Sequence, residues 1–232
     1  MPIQFSYKLT NTNIYAHLMY RIHKQNTDKL DAADILGITE KSVQQFNQQL
    51  RHKECNILIY ADFFATIPEQ GIGGRCSAAD TVLIFIDPNH KKGIKHNVRT
   101  WLPSAIAHEL FHARRYATYP TTSTLGEALI NEGLSTIFEE YANPKLKAPY
   151  AHHLSKKEIA DAWKKARPLL NSQDFNHDDW FYGGDGIKKW TGYSLGYDIV
   201  KLYMASKGIN NPASIIDEQA TIILKRYNPS KN

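Results

Sequence analysis

Apolar residues recur along this chain with two different periods, and the changes of period mark its elements. Residues 13–24 carry Ile14, Leu18 and Ile22 one helical turn apart, which predicts a first helix. In "TEKSVQQFNQQLRH", Val43, Phe46 and Leu50 fall on one face after a polar start at Thr39, which predicts a second. The period then shortens. "NILIYAD" and "TVLIFID" are β-branched and aromatic runs of strand length, separated by "EQGIGGRCSAAD", which reads as a glycine-rich connecting loop.

Helical spacing returns from Trp101 to the end. Pro103 suits the first turn of a helix that runs to about Ala117 and stops before Pro120. "STLGEALINEGLSTIFEEYANP" begins with Thr124 and Glu127 in capping-box spacing and ends at Asn143 and Pro144. "SKKEIADAWKKARPLL" and "GYSLGYDIVKLYMASKG" predict two more helices, the second closed by Gly208. "NPASIIDEQATIILKRY" predicts a last one, with Asn211 as N-cap and Pro212 in the first turn. The expected fold class is α+β: a small N-terminal mixed sheet with helices (about residues 1–100), then a helical half (about 101–232). Together they would make one domain over 1–232, with the helix of residues 103–117 at its centre.

That central helix contains "HELFH". His108 and His112 are four residues apart, so they share a helical face and can bind one Zn2+, while Glu109 reaches a water in an open coordination position. Two histidines on an amphipathic helix also occur without any metal, so a third ligand decides between the readings. A histidine-supplying continuation is excluded, because Arg115 and Thr118 stand where that pattern needs Gly and His. Glu132 lies twenty residues after His112 on the next predicted helix, and a helix turned back by "YPTTST" would bring it over the histidines.

"HELFH" with a downstream "NE" resembles the gluzincin metallopeptidases, and "EALINEGLS" with "FYGGDGIKKWTGYSLGYDIVKLY" is similar more narrowly to the DUF2268 family of predicted Zn-dependent proteases. The resemblance spans about residues 71–223. It implies a zincin-like fold with one zinc per chain, His108, His112 and Glu132 as ligands, Glu109 as general base, and a peptide or protein substrate.

Two departures matter. Thermolysin-type relatives carry an Asp four residues after the ligand Glu to orient a zinc histidine; here Thr136 stands there, and Glu139, one turn on, is the substitute candidate. "DWFYG" resembles part of another zincin pattern in which an Asp is third ligand, which makes Asp179 the rival to Glu132. Tyr193 and Tyr197, one turn apart in "GYSLGY", are the candidates to stabilise an oxyanion, ahead of His177 and Tyr182; core packing is their ordinary alternative. "TVLIFID" is the expected sheet edge for an extended peptide, with the loop of residues 71–74 as its rim. A non-catalytic metal- or partner-binding module is the alternative function, favoured by the missing Asp at position 136.

Composition changes this picture little. The net charge of +5 is scattered in ones and twos, and no nucleic-acid motif is present. The longest apolar run, Val82 to Ile86, is far too short to span a bilayer. No apolar leader follows Met1, so the expected location is cytoplasmic if Met1 is the natural start, with export after removal of a leader as the alternative. Cys55 and Cys76 do not make a disulfide framework and are expected to be reduced thiols. Oligomeric state has no signature in the chain.

Overall fold

The computed structural model describes residues 19–25, 32–52, 54–121 and 123–229. Four strands form one mixed sheet in the order β1-β2-β4-β3: β1 (Met19–Gln25), β2 (Glu54–Ala61), β3 (Ile72–Ala78) and β4 (Thr81–Ile86). β1 and β4 run parallel to β2, with Ile22 opposite Ile57 and Ile57 opposite Val82; β3 runs antiparallel to β4, with Gly74 opposite Ile84. A long helix, α1 (Ala32–Leu50), makes the crossover from β1 to β2.

Two sequence expectations change here. Residues 19–24 form β1 rather than a helix, while residues 13–18 of the expected helix lie outside the described residues. A short segment with Tyr20 and Ile22 fits a period of two as well as one of 3.6, and parallel pairing with the apolar β2 decides in favour of the strand. The expected glycine-rich loop contains β3, which makes β3 the edge of the sheet and places β4 in its interior. Gly73 and Gly74 hid this strand, because glycine contributes nothing to a strand propensity.

Alternation builds the core. Cys55, Ile57 and Ile59 of β2 and Val82, Ile84 and Ile86 of β4 are fully buried, while the residues between them are half-exposed. Against the buried face lies α2 (Ile94–Tyr116), which packs on β3, β4 and α1. This helix begins well before the expected start at Pro103, which sits inside it. Val98, Leu102 and Ile106 repeat every four residues and are buried, so the apolar stripe carries the helix through the proline despite one missing hydrogen bond. Cys55 is a buried thiol outside any disulfide, and burial pushes it up to about 12.

The chain divides into two compact units, Met1–Pro120 and Thr121–Asn232. In the second, α3 (Leu125–Ala142) starts at the predicted capping box: Thr124 accepts from the Glu127 N–H, and the Glu127 carboxylate accepts from the Thr124 N–H at 3.0 Å. α3 packs on α5 (Thr191–Lys207) through a pair of glycines. A β-carbon on Gly133 would collide with the Gly196 carbonyl, and one on Gly196 with the Leu129 carbonyl, so the helices approach to backbone contact. α4 (Lys156–Ala166) has its own capping box at Ser155 and Glu158. The expected C-terminal helix is two pieces: a 3-10 turn at Pro212–Ile215, capped by Asn211, and α6 (Ala220–Leu224). Among the described residues no helix is long and apolar enough to cross a membrane.

Candidate metal centre

From Ile106 to Ala113 every residue of α2 is buried, His108, Glu109 and His112 among them. His108 is 7% exposed and His112 9%, and their Nε2 atoms lie 3.0 Å apart. Two nitrogens at about 2.05 Å from one tetrahedral zinc stand about 3.3 Å apart, so this pair has close to the ligand separation of a shared metal. Glu109 sits on the same stretch, 7% exposed, against the edge strand. A β-carbon on Gly74 would lie 2.6 Å from its Oε1, so the absent side chain of Gly74 is what gives this carboxylate its place.

In the second unit, Glu132, Thr136 and Glu139 follow each other on one face of α3. Thr136 is fully buried and its hydroxyl has no hydrogen-bond partner among the described residues, so it does not do the work of the missing Asp. Glu139, 4% exposed, accepts a very short hydrogen bond from the Tyr150 hydroxyl. Burial, then the charge and hydrogen bond of Glu139, with Tyr193 and Glu132 adding to them, push the Tyr150 phenol well above its usual range and keep it a donor.

Glu140 is the centre of a second network. It accepts from Lys147 at 2.9 Å, from the Ala148 N–H at 3.1 Å, from His152 at 2.6 Å and from Tyr197 at 2.8 Å. Burial opposes its charge, but the hydrogen bonds from Lys147, His152 and Tyr197 outweigh burial and lower its pKa below the ordinary carboxylate value. A depressed pKa stabilises the fold above the unfolded value, near 4.3, and that stability disappears as pH falls through the folded value. Glu140→Gln is therefore expected to cost about 2–3 kcal/mol at pH 7 and progressively less below about pH 4. Melting curves of both proteins between pH 7 and pH 3 check this, and a gap that does not narrow in acid would count against a charged Glu140.

The two candidate tyrosines separate in this framework. The Tyr197 hydroxyl is engaged by Glu140, and its ring helps to line a cavity of about 220 Å3 in the second unit. Tyr193 packs its ring at a tilt against Tyr150, 4.8 Å between centroids, and edge-on to Phe181 at 5.0 Å. Asp179 opens a single π-helical turn, Asp179–Gly183, with its carboxylate packed against Gly184. His177 stacks on Phe181 at 4.4 Å, and Tyr182 is 58% exposed. Of the three predicted ligands, His108 and His112 lie on α2 in the first unit and Glu132 on α3 in the second. Sequence reasoning missed Tyr150 and Glu140. Tyr150 lies in an irregular segment without a motif, and "EE" on a helix ordinarily marks a solvated face.

The description "Predicted Zn-dependent protease (DUF2268)" matches residues 35–225. The chain belongs to this family. No curated protein matches it. Among solved structures it is similar to the aminopeptidase N family protein from Idiomarina loihiensis, at 12% identity and a TM-score of 0.49. That likeness covers 94% of this chain and 40% of the other, so the chain spans less than half the length of that protein. The DUF2268 match extends from α1 through α6 and thus includes both histidines, Glu109 and Glu132.

Proposed function

We propose that this DUF2268 chain is a zinc-dependent peptidase of the gluzincin type. His108, His112 and Glu132 hold one zinc ion, and Glu109 is the general base. The reading is carried by the histidine pair: two buried imidazoles with facing Nε2 atoms, which with the Glu132 carboxylate would make a donor set that suits zinc with one position left open. The family's description as a predicted Zn-dependent protease supports the same metal and reaction. Zinc, when bound, supplies a Lewis acid for a carbonyl and lowers the pKa of water.

The remaining chemistry belongs to the chain. Glu109 takes the proton of the attacking water and returns it to the leaving amine. The main chain of β3 holds the substrate as an added extended strand, with Glu109 directly against that strand at Gly74. Tyr193 donates a hydrogen bond to the oxyanion that develops on the scissile carbonyl; Tyr197 is committed to Glu140 and secures α5 against α3. Glu139, held by Tyr150, is the carboxylate that orients a ligand histidine in place of an Asp at position 136.

A second reading, a metal-binding module without turnover, is favoured by Thr136, whose hydroxyl has no partner among the described residues, where thermolysin-type relatives have that Asp. One experiment separates the two. Elemental analysis should give about one zinc per chain, and the zinc-loaded protein should cleave a mixed peptide library with loss of cleavage on chelation. Bound zinc with no cleavage establishes the module, and no zinc uptake removes both readings.

A further inference from the structure

The loop that leads from β2 into the edge strand begins with two aromatic side chains facing solvent. Phe64 is 84% exposed and Phe63 54%, and their rings lie 3.8 Å apart. Leaving a pair of large apolar rings in water is unfavourable, and the chain nevertheless holds them in place. Asp62 accepts from the Phe64 N–H at 2.9 Å, the Thr66 hydroxyl donates to the Phe63 carbonyl at 2.8 Å, and Ile67 bridges back to Ile72. The Ala65 carbonyl lies against Gly73, where a β-carbon would collide with it, so this loop covers the strand on the side to which residue 73 points.

Side chains of β3 alternate between two faces. Gly74 points at Glu109, so Gly73 and Arg75 point to the opposite face. Arg75 is exposed and forms no ion pair among the described residues. Past the bridge at Ile72, the partner of β3 within the sheet is β4 alone among the described residues; Ile72 turns its carbonyl outward to Ile67, so, two residues on, Gly74 presents its backbone N–H and C=O at the outer edge. An extended peptide laid along that edge directs every second side chain to the face of Gly73 and Arg75. One of these residues meets the phenylalanine loop, and the residue two positions away meets the guanidinium.

We propose that the β3 edge selects peptides carrying a bulky apolar residue and an acidic residue two positions apart, the first received by Phe63 and Phe64 and the second by Arg75. This deepens the peptidase reading and rests on it for the use of β3 as the substrate strand. A peptide suits these groups better than a bilayer surface does, because the loop lies against β3 at Gly73, next to the strand's hydrogen-bonding edge at Gly74 and two residues from Arg75.

The test measures binding rather than turnover. The full chain as Glu109→Gln is titrated into fluorescein-labelled, alanine-based decapeptides containing Phe-Ala-Glu or Glu-Ala-Phe, and into versions with Lys for Glu or Ser for Phe. At least one of the two orders is expected to bind about threefold to tenfold more tightly than both of its altered versions. Introducing R75E should reverse the preference between Glu and Lys, and F63S/F64S should erase the preference for Phe. Equal binding of all peptides, or a preference that survives R75E and F63S/F64S, overturns the proposal. So does Phe63- and Phe64-dependent binding to phosphatidylglycerol vesicles without peptide selection, which would assign the loop to a membrane surface. If the preference is found and the unsubstituted protein cleaves neither peptide, the docking site stands and the peptidase reading falls.

Discussion

Glu109→Gln is expected to lower kcat for peptide hydrolysis by on the order of a thousandfold while the chain keeps its zinc. Glutamine preserves the shape of the side chain that fits beside Gly74, so β3 and α2 need not move. What it removes is the ability to take a proton at one oxygen and deliver it to the amine. The imidazoles are untouched, and so is their side-by-side arrangement with Nε2 atoms 3.0 Å apart. Zinc content by elemental analysis and steady-state kinetics on one good peptide substrate are read on the same preparation. Near-normal kcat in a zinc-loaded Glu109→Gln protein would falsify the general-base role.

The second large effect is on metal retention. His112→Ala is expected to reduce bound zinc from about one per chain to nearly none, and to abolish the rise in melting temperature that zinc gives the unsubstituted chain. Removing one imidazole leaves His108 and a carboxylate, too few donors to compete with water and buffer. A helix that merely buried two histidines would respond differently. It would lose packing on truncation and show no zinc-dependent stabilisation before or after. Calorimetry of both proteins with and without added zinc distinguishes the cases, and an unsubstituted chain that neither binds zinc nor gains stability from it would remove the metal centre altogether.

How far the sequence could be read depended on the range of the forces involved. The start of α3 was legible to the residue, because a capping box is a local exchange of two hydrogen bonds between Thr124 and Glu127. Gly208 closing α5 in the left-handed region was legible for the same reason. "HELFH" was legible because helical geometry alone puts residues four apart on one face. The errors fell where partners decide. Met19–Gln25 became a strand because β2 was available to pair with it, and Ile72–Ala78 became an edge strand because β4 held it despite two glycines. α2 ran on through Pro103 because the sheet received its apolar stripe, and "NPASIIDEQATIILKRY" broke in two although its cap at Asn211 formed as expected.

The sequence by itself determined the chemistry available to this protein: two imidazoles and a carboxylate in helical register, a second carboxylate on a later helix, and α+β patterning around them. These follow from residue identity and from periods set by the backbone. Tertiary structure decided which of those groups are committed elsewhere and what surrounds the rest. It engaged Tyr197 with Glu140, placed Tyr150 on Glu139, left the Thr136 hydroxyl without a partner among the described residues, and set Glu109 against the bare backbone of Gly74. Each of these is a contact within one packed unit between residues ten or more apart in sequence, or the lack of one. Burial and shape select such contacts, and no local spacing encodes them.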